Sequence, residues 1–505
     1  MTLLQQRMDE EHGERQQHQA GPPPELKRVS DVVWELPASY KKGMRVPARI
    51  IATEELMQAM DPGVFNQVTN VATLPGIQSY SYCMPDGHWG YGFPIGGVAA
   101  FDPKEGGVIS PGGIGFDINC GMRLITTNLT ADQVKPRIKE IVDALYKAVP
   151  AGVGCKGFVK LSKEEFKDVM RDGAQWCLKK GFAWKEDIEH IEDQGKISQA
   201  NPDKVSEKAV KRGFDQIGTL GSGNHYLEIQ EVREGNIFDQ KAAKAMGITG
   251  PGQIVIMVHC GSRGFGHQIG TDYLRVFLDV MPKYGIEILD QELACAPFNS
   301  PEGQDYYQAM ACAANMAFVN RQVITHRIRE VFSKAFGKSA EDLGMHLVYD
   351  VAHNIAKLEK HMVDGKEKEL LVHRKGATRA FGPARGAFLP KDYAKIGQPV
   401  IIGGSMETGS YLLVGTDGAD MTFASTAHGA GRTMSRAAAK RNIRGDQLQK
   451  DMEKSGIYVH AVTMAGLAEE AGSAYKDLDL VVDALEAAGI TRRVVALKPI
   501  GNVKG

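Results

Sequence analysis

The 505-residue chain has no marked excess of charge and no segment typical of membrane insertion or export. Its 60 Lys and Arg residues against 61 Asp and Glu give a formal net charge of −1. This balance excludes a uniformly basic nucleic-acid binder but allows a local basic cleft. No apolar run approaches the ~18 residues that a membrane-spanning helix needs, and the first residues lack a positively charged stretch followed by an apolar one. We therefore expect a cytoplasmic protein without membrane attachment.

Cysteine is also scarce and scattered. The seven cysteines are odd in number and no two stand in a CxxC spacing, so neither a disulfide framework nor a zinc ribbon is indicated. Glycine, by contrast, is abundant at 57 residues, yet it forms neither a collagen-like period nor a Gly/Ser linker. It occurs in short clusters, which are typical of places where the backbone must approach a ligand closely.

The sequence divides into a short polar tail and one large domain. Residues 1–27 are rich in Gln, Glu and His and contain Pro-Pro-Pro, so we expect a disordered tail. The remainder, 28–505, is expected to form a single domain with a charged, helical subregion at about 161–212. Short apolar runs broken by glycine predict strands between 50 and 130, and apolar residues at helical spacing predict a helix at 131–149.

Strands and helices are predicted in irregular alternation further along. Apolar runs at 253–259 and 346–354 predict buried strands, and residues 304–338 between them predict a helix. YLLVGT and MTFAST (421–426) predict further strands before a helix at SRAAAKRN. There is no internal repeat, and the alternation is too irregular for a doubly wound sheet or a (β/α)8 barrel. The predicted fold class is α+β, with strands and helices mixed around a central cleft.

Several ligand-capable side chains follow buried apolar runs or glycine-rich turns. ISPGGIGFDINCGM places a carboxylate and a thiol three residues apart, and GTLGSGNHYLEI, QIVIMVH and HLVYDVAHN each supply a histidine. Thiolate, imidazole and carboxylate suit divalent first-row metals, and one thiolate can bridge two ions. Ordinary structural histidines and an inert buried thiol are the alternatives. The pattern predicts a two-metal site formed by Asp117, Cys120, His225, His259 and His353.

A further histidine stands in a different context. STAHGAGRTMSRAAAK places His428 before Gly-Ala-Gly at a predicted helix start, where free backbone N–H groups and the helix dipole favour phosphate. A histidine beside a phosphate can act as a nucleophile. The alternative is a tight turn in which the histidine serves as a cap.

The segments FDINCG, GSGNH, HCGSRGFGHQ, YDVAHN, HRKGATRA and HGAGR, in this order, resemble the RtcB-type RNA ligases. The resemblance runs from about residue 30 to Gly505 and includes PDGHWGYGFPIGG at 85–97. It implies an enzyme of tRNA splicing or RNA repair that uses GTP and Mn²⁺. Such an enzyme joins an RNA 3′-phosphate, or a 2′,3′-cyclic phosphate that it first opens, to a 5′-hydroxyl. The implied partners are tRNA halves or broken RNA ends. The sequence leaves open whether an archease-like activator is needed as a further partner.

The resemblance also implies residue roles. His428 would carry GMP, and Cys120 would bridge two Mn²⁺ ions. Asp117 and His225 would complete one metal site, and His259 and His353 the other. RNA phosphates would be bound by Arg212, Arg263 and Lys375. Contacts with guanylate would come from Asn224, His225, Tyr226, Glu228, His353, Asn354, Gly403, Gly404, Ser405, Met406, Ser410, His428, Gly429, Ala430, Gly431 and Lys504.

The chain departs from the family pattern at two places. Cys260 stands where the family commonly has Ser, and residues 407–411 read ETGSY in place of a GTCSY-like segment. Neither departure is expected to touch a metal ligand or the nucleophile. A local basic cleft is predicted from Arg212, Arg263, Arg374, Lys375, Arg379 and Arg432, about half of which could instead be scattered, solvated charges.

Two other functions fit parts of the sequence. A metal-dependent hydrolase or phosphatase would use the metal site without His428, and GTP-dependent covalent labelling distinguishes it from a ligase. A non-catalytic RNA-binding scaffold would not need the Cys/His/Asp set. The sequence has no KxDG motif, so the lysine route of other nucleotidyl-transfer ligases is not indicated.

Overall fold

The computed structural model describes residues 21–505. Residues 1–20 of the predicted tail lie outside this range. Within it, Lys27, the last residue of the predicted tail, already forms a short strand with Arg28.

The strands are distributed along the whole described chain. Their bounds are β1 Lys27–Arg28, β2 Val33–Leu36, β3 Ala48–Ile51, β4 Ser81–His88, β5 Ile95–Phe101, β6 Val108–Ile109, β7 Gly121–Thr130, β8 Tyr226–Ile237, β9 Gln253–Cys260, β10 Ala296–Pro297, β11 Leu347–Ala352, β12 Asn354–Val363, β13 Lys366–Lys375, β14 Ala377–Arg379, β15 Pro399–Gly403, β16 Ser410–Gly415, β17 Ser425–Ala427, β18 Tyr458–Ala461 and β19 Thr491–Lys504.

The α-helices are also distributed along the described chain, between residues 54 and 487. Their bounds are α1 Glu54–Gln58, α2 Pro62–Val71, α3 Ala131–Val134, α4 Ile138–Ala148, α5 Lys163–Asp172, α6 Ala174–Lys179, α7 Lys185–Glu189, α8 Glu207–Gly213, α9 Gln240–Ala245, α10 Arg263–Val280, α11 Pro301–Phe336, α12 Arg436–Asn442, α13 Gly445–Lys454, α14 Met464–Glu469 and α15 Leu478–Ala487. None of these helices is both long and apolar enough to cross a lipid bilayer.

Two large sheets organise the molecule. The seven-stranded sheet has the order β1-β2-β3-β4-β5-β13-β12, and the eight-stranded sheet has the order β11-β7-β9-β8-β19-β16-β15, with β18 added alongside β19. Neighbouring strands are antiparallel except for β3 with β4 and β18 with β19. Mainly antiparallel sheets with separate helices confirm the predicted α+β class.

Helix α11 is the central element of the largest apolar core. Ser300 caps its start by accepting a hydrogen bond from the Gly303 N–H, and Pro301 follows at the first helical position. Gly337 ends it in the left-handed conformation, with φ of 63°. Along its 36 residues the helix is mostly buried and carries polar side chains into the core, among them Asn320 and Arg321. A second core lies between the seven-stranded sheet and α1, α2 and α15.

The predicted strand at 421–426 is wrong for most of its length. Residues Asp417–Thr422 form a 3-10 turn, and a strand begins only at Ser425. The reason is local, because Phe423 and Ala424 both adopt positive φ, at 52° and 49°, which interrupts an extended backbone.

The predicted helix start at His428 is also wrong. Helix α12 begins at Arg436, and the residues after His428 form a loop. Gly429 forms an isolated β-bridge with Gly403, and its N–H donates to the carboxylate of Asp86. The Gly-Ala-Gly backbone is therefore used in tertiary contacts rather than in a helical turn.

Candidate metal and nucleotide site

The thiol of Cys120 lies at the centre of a buried cluster. Its Sγ is 3.3 Å from His225 Nε2 and 3.2 Å from His259 Nε2. His225 Nε2 is 2.8 Å from Asp117 Oδ2, and His259 Nε2 is 3.1 Å from His353 Nε2. The structure thus brings all the predicted metal ligands together. They form two groups that share Cys120, and within each group the donor atoms lie within 4.8 Å of one another.

The order of strands in the eight-stranded sheet explains this convergence. Cys120 directly precedes β7, His225 directly precedes β8, and His259 lies near the end of β9. His353 directly follows β11. Strands β11, β7, β9 and β8 are consecutive neighbours, and Met122 and Tyr226 both lie opposite His259. The four candidate ligands at these strands therefore lie at the same end of the sheet.

The protonation of His259 and His353 fits metal binding. His259 Nδ1 lies 2.9 Å from the carbonyl oxygen of Asn224, so it must donate its proton there. The neutral ring then keeps a lone pair on Nε2, which faces Cys120 and His353. Burial, together with nearby positive groups, lowers the pKa of His259 and His353 well below the ordinary value, so both rings are neutral.

His225 differs from these two histidines in its protonation. Burial lowers its pKa, but Cys260, Cys120 and Asp117 outweigh burial and raise the pKa well above the ordinary value. His225 must therefore lose a proton to bind a metal.

Cys120 and the donor set also fit a divalent first-row metal. Burial, with a contribution from Asp117, raises the pKa of Cys120 to about 12. A thiolate at this position therefore needs a cation beside it. His353 Nδ1 is buried and has no hydrogen-bond partner among residues 21–505, and His353 Nε2 lies 3.1 Å from His259 Nε2. Sulfur, imidazole nitrogen and carboxylate oxygen atoms that lie this close together are suitable ligands for a divalent first-row metal ion.

His428 lies beside this cluster and is held by a carboxylate that the sequence did not indicate. Its ring centroid is 4.8 Å from that of His353. Asp86 Oδ2 accepts a hydrogen bond from His428 Nδ1 at 2.6 Å and faces the N–H groups of His428 and Gly429 at 3.2 and 3.3 Å. With Nδ1 occupied by Asp86, the lone pair of the neutral ring is on Nε2.

Lys476 joins strand β4, which carries Asp86, to the loop that carries His428. Its buried ammonium donates to the carbonyls of Pro85, at 3.1 Å, and Gly87. Its backbone N–H donates to the carbonyl of Gly431 at 3.0 Å. Gly431 has φ of 74°, and a Cβ there would lie 2.1 Å from the Asp86 carbonyl oxygen, so the strand and the loop approach too closely for any side chain.

Four of the residues expected to contact guanylate lie on the adjacent strands β8, β19 and β16 next to the cluster, namely Tyr226, Glu228, Ser410 and Lys504. Glu228 on β8 accepts hydrogen bonds from Gln230 at 2.6 Å and from Asn502 on β19 at 2.7 Å. Gln230 also donates to Ser410 on β16 at 3.1 Å. Burial raises the pKa of Glu228 to about 7.

The other predicted guanylate residues surround these strands. Tyr226 reaches Gly403, where an added Cβ would lie 2.4 Å from the tyrosine hydroxyl. Asn354 donates to the carbonyl of Asp117 at 3.1 Å. The carbonyl of Asn224 accepts the hydrogen bond from His259 Nδ1. Gly404, Ser405 and Met406 continue from Gly403, which faces the Gly429–Gly431 loop through Gly429.

Lys504 is buried and paired with a residue that the sequence did not indicate. Its Nζ lies 3.6 Å from Glu470 Oε2, and only 2% of the residue is exposed. Glu470 also pairs with Arg432 at 3.2 Å and with Arg436 at 3.4 Å. A residue near position 505 is therefore part of the interior of the site.

The residues expected to bind RNA phosphates occupy two places. Arg212 lies at the end of α8, and Arg263 lies at the start of α10, next to Ser262, whose Oγ donates to Asp117 at 3.3 Å. The Arg263 guanidinium donates to Thr219 Oγ1 at 3.1 Å and to the carbonyl of Gly152 at 2.8 Å. Arg212 donates to Gln268 and has no carboxylate partner among residues 21–505. Lys375 is opposite Asn354, and its buried ammonium donates to the carbonyls of Tyr91 and Gly112. Burial lowers its pKa to about 7.

The predicted basic cleft is wrong for three of its arginines. Arg374 is fully buried against Glu359 at 2.6 Å, and Arg379 pairs with Asp193 at 2.9 Å. Arg432 is bound to Glu470, as described above. A buried guanidinium requires a carboxylate partner, so these three charges are neutralised within the fold. They contribute neither to a basic cleft nor to the scattered, solvated charges that were the alternative.

The expectation that Cys260 touches no metal ligand is wrong. Its Sγ lies 4.0 Å from His225 Nδ1 and receives a hydrogen bond from Asn320 at 3.3 Å. Burial opposes the thiolate of Cys260, but the neighbouring His225 outweighs it and lowers the pKa of this thiol. Residues 407–411 also contact the predicted site, since Thr408 bonds to Ser405 at 3.0 Å.

The fold and the cluster together define an α+β protein with a candidate metal-assisted active site. Comparison with known proteins makes this assignment more specific. The chain belongs to the family described as tRNA-splicing ligase RtcB, whose sequence profile matches residues 67–505.

Several curated proteins named tRNA-splicing ligase RtcB are similar over nearly their full length. The Archaeoglobus fulgidus protein is 54% identical over 481 residues, covering 95% of this chain and 99% of the relative. The Methanococcus maripaludis and Thermococcus kodakarensis proteins are each 53% identical, over 479 and 482 residues, with the same coverage of both chains.

Proposed function

We propose that this protein is a cytoplasmic GTP- and Mn²⁺-dependent RNA ligase that joins RNA 3′-phosphate or 2′,3′-cyclic phosphate ends to 5′-hydroxyl ends. It would act in tRNA splicing or in the repair of broken RNA. The observation that carries the proposal is His428, which Asp86 holds by its Nδ1 while its ring lies 4.8 Å from that of the candidate ligand His353. The names of the relatives support the same class of reaction.

His428 is the nucleophile of the first step. Its Nε2 attacks the α-phosphorus of GTP, so a nitrogen–phosphorus bond forms while the bond to the bridging oxygen breaks and pyrophosphate leaves. A neutral imidazole is a competent nucleophile near neutral pH. Asp86 keeps the proton on Nδ1 and stabilises the positive charge that the ring acquires as the new bond forms.

The later steps transfer the guanylate and then seal the RNA. An oxygen of the RNA 3′-phosphate attacks the phosphorus bound to His428, which releases the imidazole and leaves the RNA end capped by GMP. The 5′-hydroxyl then attacks the RNA 3′-phosphorus, forming the phosphodiester as GMP departs. A cyclic phosphate must first be opened by water. Dividing the reaction in this way replaces one difficult displacement by easier ones.

The chain's own side chains would hold the ions and the phosphates. Asp117, Cys120 and His225 would bind one Mn²⁺, and Cys120, His259 and His353 the other. When bound, the ions would neutralise charge on the phosphate oxygens and polarise phosphorus toward attack. Arg212 at the end of α8, Arg263 at the start of α10 and Lys375 opposite Asn354 would bind RNA phosphates. Guanylate would be bound by the β8, β16 and β19 residues and by the loops at 403–406 and 428–431.

Covalent labelling tests this proposal. The protein is incubated with Mn²⁺ and GTP labelled at the α-phosphate, and is then denatured and separated on a gel. We expect an acid-labile protein label in the wild type and in His326→Ala, a control on α11 remote from Asp86, but none in His428→Ala. Hydrolysis of GTP without any protein label would indicate a hydrolase and overturn the assignment as a ligase.

A further inference from the structure

Helix α11 carries two adjacent buried polar residues directly beneath the metal cluster. We propose that Asn320 and Arg321 position the metal ligands through hydrogen bonds to each chain segment that carries a ligand. Neither side chain is itself a candidate ligand. The inference rests on the metal site of the proposed function, and it assigns these two residues a role in setting its geometry.

Arg321 contacts three ligand-bearing segments at once. Its Nη1 donates to the carbonyl of Asn119, which precedes Cys120, at 2.7 Å, and to the carbonyl of Cys260, which follows His259, at 2.9 Å. Its Nε and Nη2 grip the carboxylate of Asp350, three residues before His353, at 2.7 and 2.8 Å. Since Nη2 also faces the Asn119 side chain at 3.4 Å, every N–H of the guanidinium has a partner.

Asn320 contacts the segment that leads to His225, which Arg321 does not contact, and the segment that follows His259, which Arg321 does contact. Its Oδ1 accepts from the N–H groups of Gly218 and Thr219, at 2.8 and 3.1 Å, in the loop that leads to His225. Its Nδ2 donates to the carbonyls of Thr219 and Gly261, both at 3.1 Å. Together the two residues brace all the segments that supply candidate ligands.

The backbone at Cys120 needs such support. Asn119 has a positive φ of 53°, a conformation that costs energy for residues other than glycine. Gly121 allows the helix to approach, because a Cβ there would lie 3.1 Å from Arg321 Cζ and 2.2 Å from the Val351 carbonyl oxygen. The arginine therefore stabilises a main-chain conformation that aims the Cys120 thiol at the histidines.

The same helix supplies matched control residues. Arg329 is buried and pairs with Asp187, at 2.7 Å, and with the Met345 carbonyl. Asn315 is buried and bonds to the main chain of Met170 and Ile197. Their substitution should cost stability without touching a ligand-bearing segment.

The test compares Arg321→Lys with Arg329→Lys, and Asn320→Ala with Asn315→Ala, in the full-length protein. Co²⁺ serves as a spectroscopic probe, because its thiolate charge-transfer and ligand-field bands report on Cys120 and on coordination geometry. Mn²⁺ affinity is measured by titration, and unfolding of the metal-free protein gives stability. We expect Arg321→Lys and Asn320→Ala to weaken Mn²⁺ binding about tenfold or more, as loss of contacts around ligands commonly does. We also expect altered Co²⁺ bands in these two variants, whereas both controls keep the wild-type spectrum.

The outcomes separate this inference from the proposed function. Wild-type bands and affinity in folded Arg321→Lys and Asn320→Ala would overturn the positioning role. So would equal spectral changes in the controls, which would point to general destabilisation. If Arg321→Lys does not fold, Asn320→Ala against Asn315→Ala decides the question. A wild type without any thiolate band would instead overturn the metal site itself.

Discussion

Asp86 Oδ2 and His428 Nδ1 lie 2.6 Å apart, although 342 residues separate them in the chain. The carboxylate is fully buried, and within the described part of the chain its other oxygen, Oδ1, has no hydrogen-bond partner. Asp86 Oδ2 therefore fixes the orientation of the His428 imidazole. This geometry sets the tautomer in which His428 can attack phosphorus through Nε2.

Asp86→Asn should slow guanylylation with little change in GTP affinity. An amide of the same shape lacks the negative charge and can bind the wrong tautomer, a change that costs roughly 100-fold or more in comparable carboxylate–imidazole pairs. The rate of label incorporation at saturating GTP measures the effect. Asp102→Asn, another buried carboxylate, is the control. An unchanged rate in Asp86→Asn would show that the contact has no part in the first step.

His428→Ala should separate the first chemical step from the last. The variant should form no protein–GMP, yet it should still seal an RNA that already carries a 3′-guanylate, because sealing uses the metal ligands and the 5′-hydroxyl. Ligation of this pre-activated RNA is followed by gel electrophoresis, with Mn²⁺ binding as the check on the metal site. Failure to seal in a folded, metal-binding variant would assign His428 a second role.

Cys120→Ser should lose more activity and more metal than Asp117→Asn. Cys120 belongs to both ligand groups and Asp117 to only one, and a hydroxyl binds such metals less tightly than a thiolate. Metal content after dialysis and ligation rate are the measurements. Cys177→Ser, at another buried cysteine, controls for the loss of packing. Full Mn²⁺ occupancy and normal ligation in Cys120→Ser would contradict a shared thiolate.

Lys504→Gln, or removal of residues 504–505, should weaken the use of GTP. The substitution removes the cation that faces Glu470 and lies next to Tyr226, while Arg432 and Arg436 still neutralise Glu470. The GTP concentration for half-maximal guanylylation should rise about tenfold or more, as expected for one lost charged contact. Lys498→Gln on the same strand is the control, because its ammonium is exposed. Equal GTP dependence in all variants would exclude a guanylate contact by Lys504.

Glu228 should make the stability of the metal-free protein depend on pH. Its pKa rises from the ordinary 4.5 to about 7 through burial, so the folded state retains a proton that the unfolded state has lost between these values. Stability should therefore fall as pH rises from 5 toward 7 and then level off. Denaturant unfolding of Glu228→Gln should lack this component, which is at most ~3 kcal/mol because one pKa unit corresponds to about 1.36 kcal/mol. The exposed Glu234→Gln should keep the wild-type profile.

The metal ligands could be predicted from the sequence because each stands beside a buried apolar run or a glycine-rich turn. His259 and His353 illustrate this, since each lies at the end of a strand that periodicity alone identifies. Their convergence with Cys120 could not be predicted in this way. It depends on the order β11-β7-β9-β8, which is set by tertiary packing and not by any local pattern.

The residues that support the site were not predictable for a different reason. Glu470 and Arg321 are single charged residues outside the recognised motifs, and Asp86 lies in PDGHWGYGFPIGG, which gives no sign of its partner; the partners of all three are distant in the chain. Their importance follows from burial, because a buried charge must find a partner. The errors at 421–426 and after His428 arose from positive φ angles and from loop contacts, neither of which leaves a signal in hydrophobic periodicity.

Strand β19 has a consequence for how the protein is made. It lies between β8 and β16, and its Asn502 bonds to Glu228 across a separation of 274 residues. During translation, β8 and β16 leave the ribosome with facing edges unpaired until residues 491–504 follow. Unpaired strand edges invite association with other chains. The nascent protein thus passes through a long aggregation-prone interval, and ribosome stalling before residue 491 would leave a chain that has its metal ligands but an open sheet.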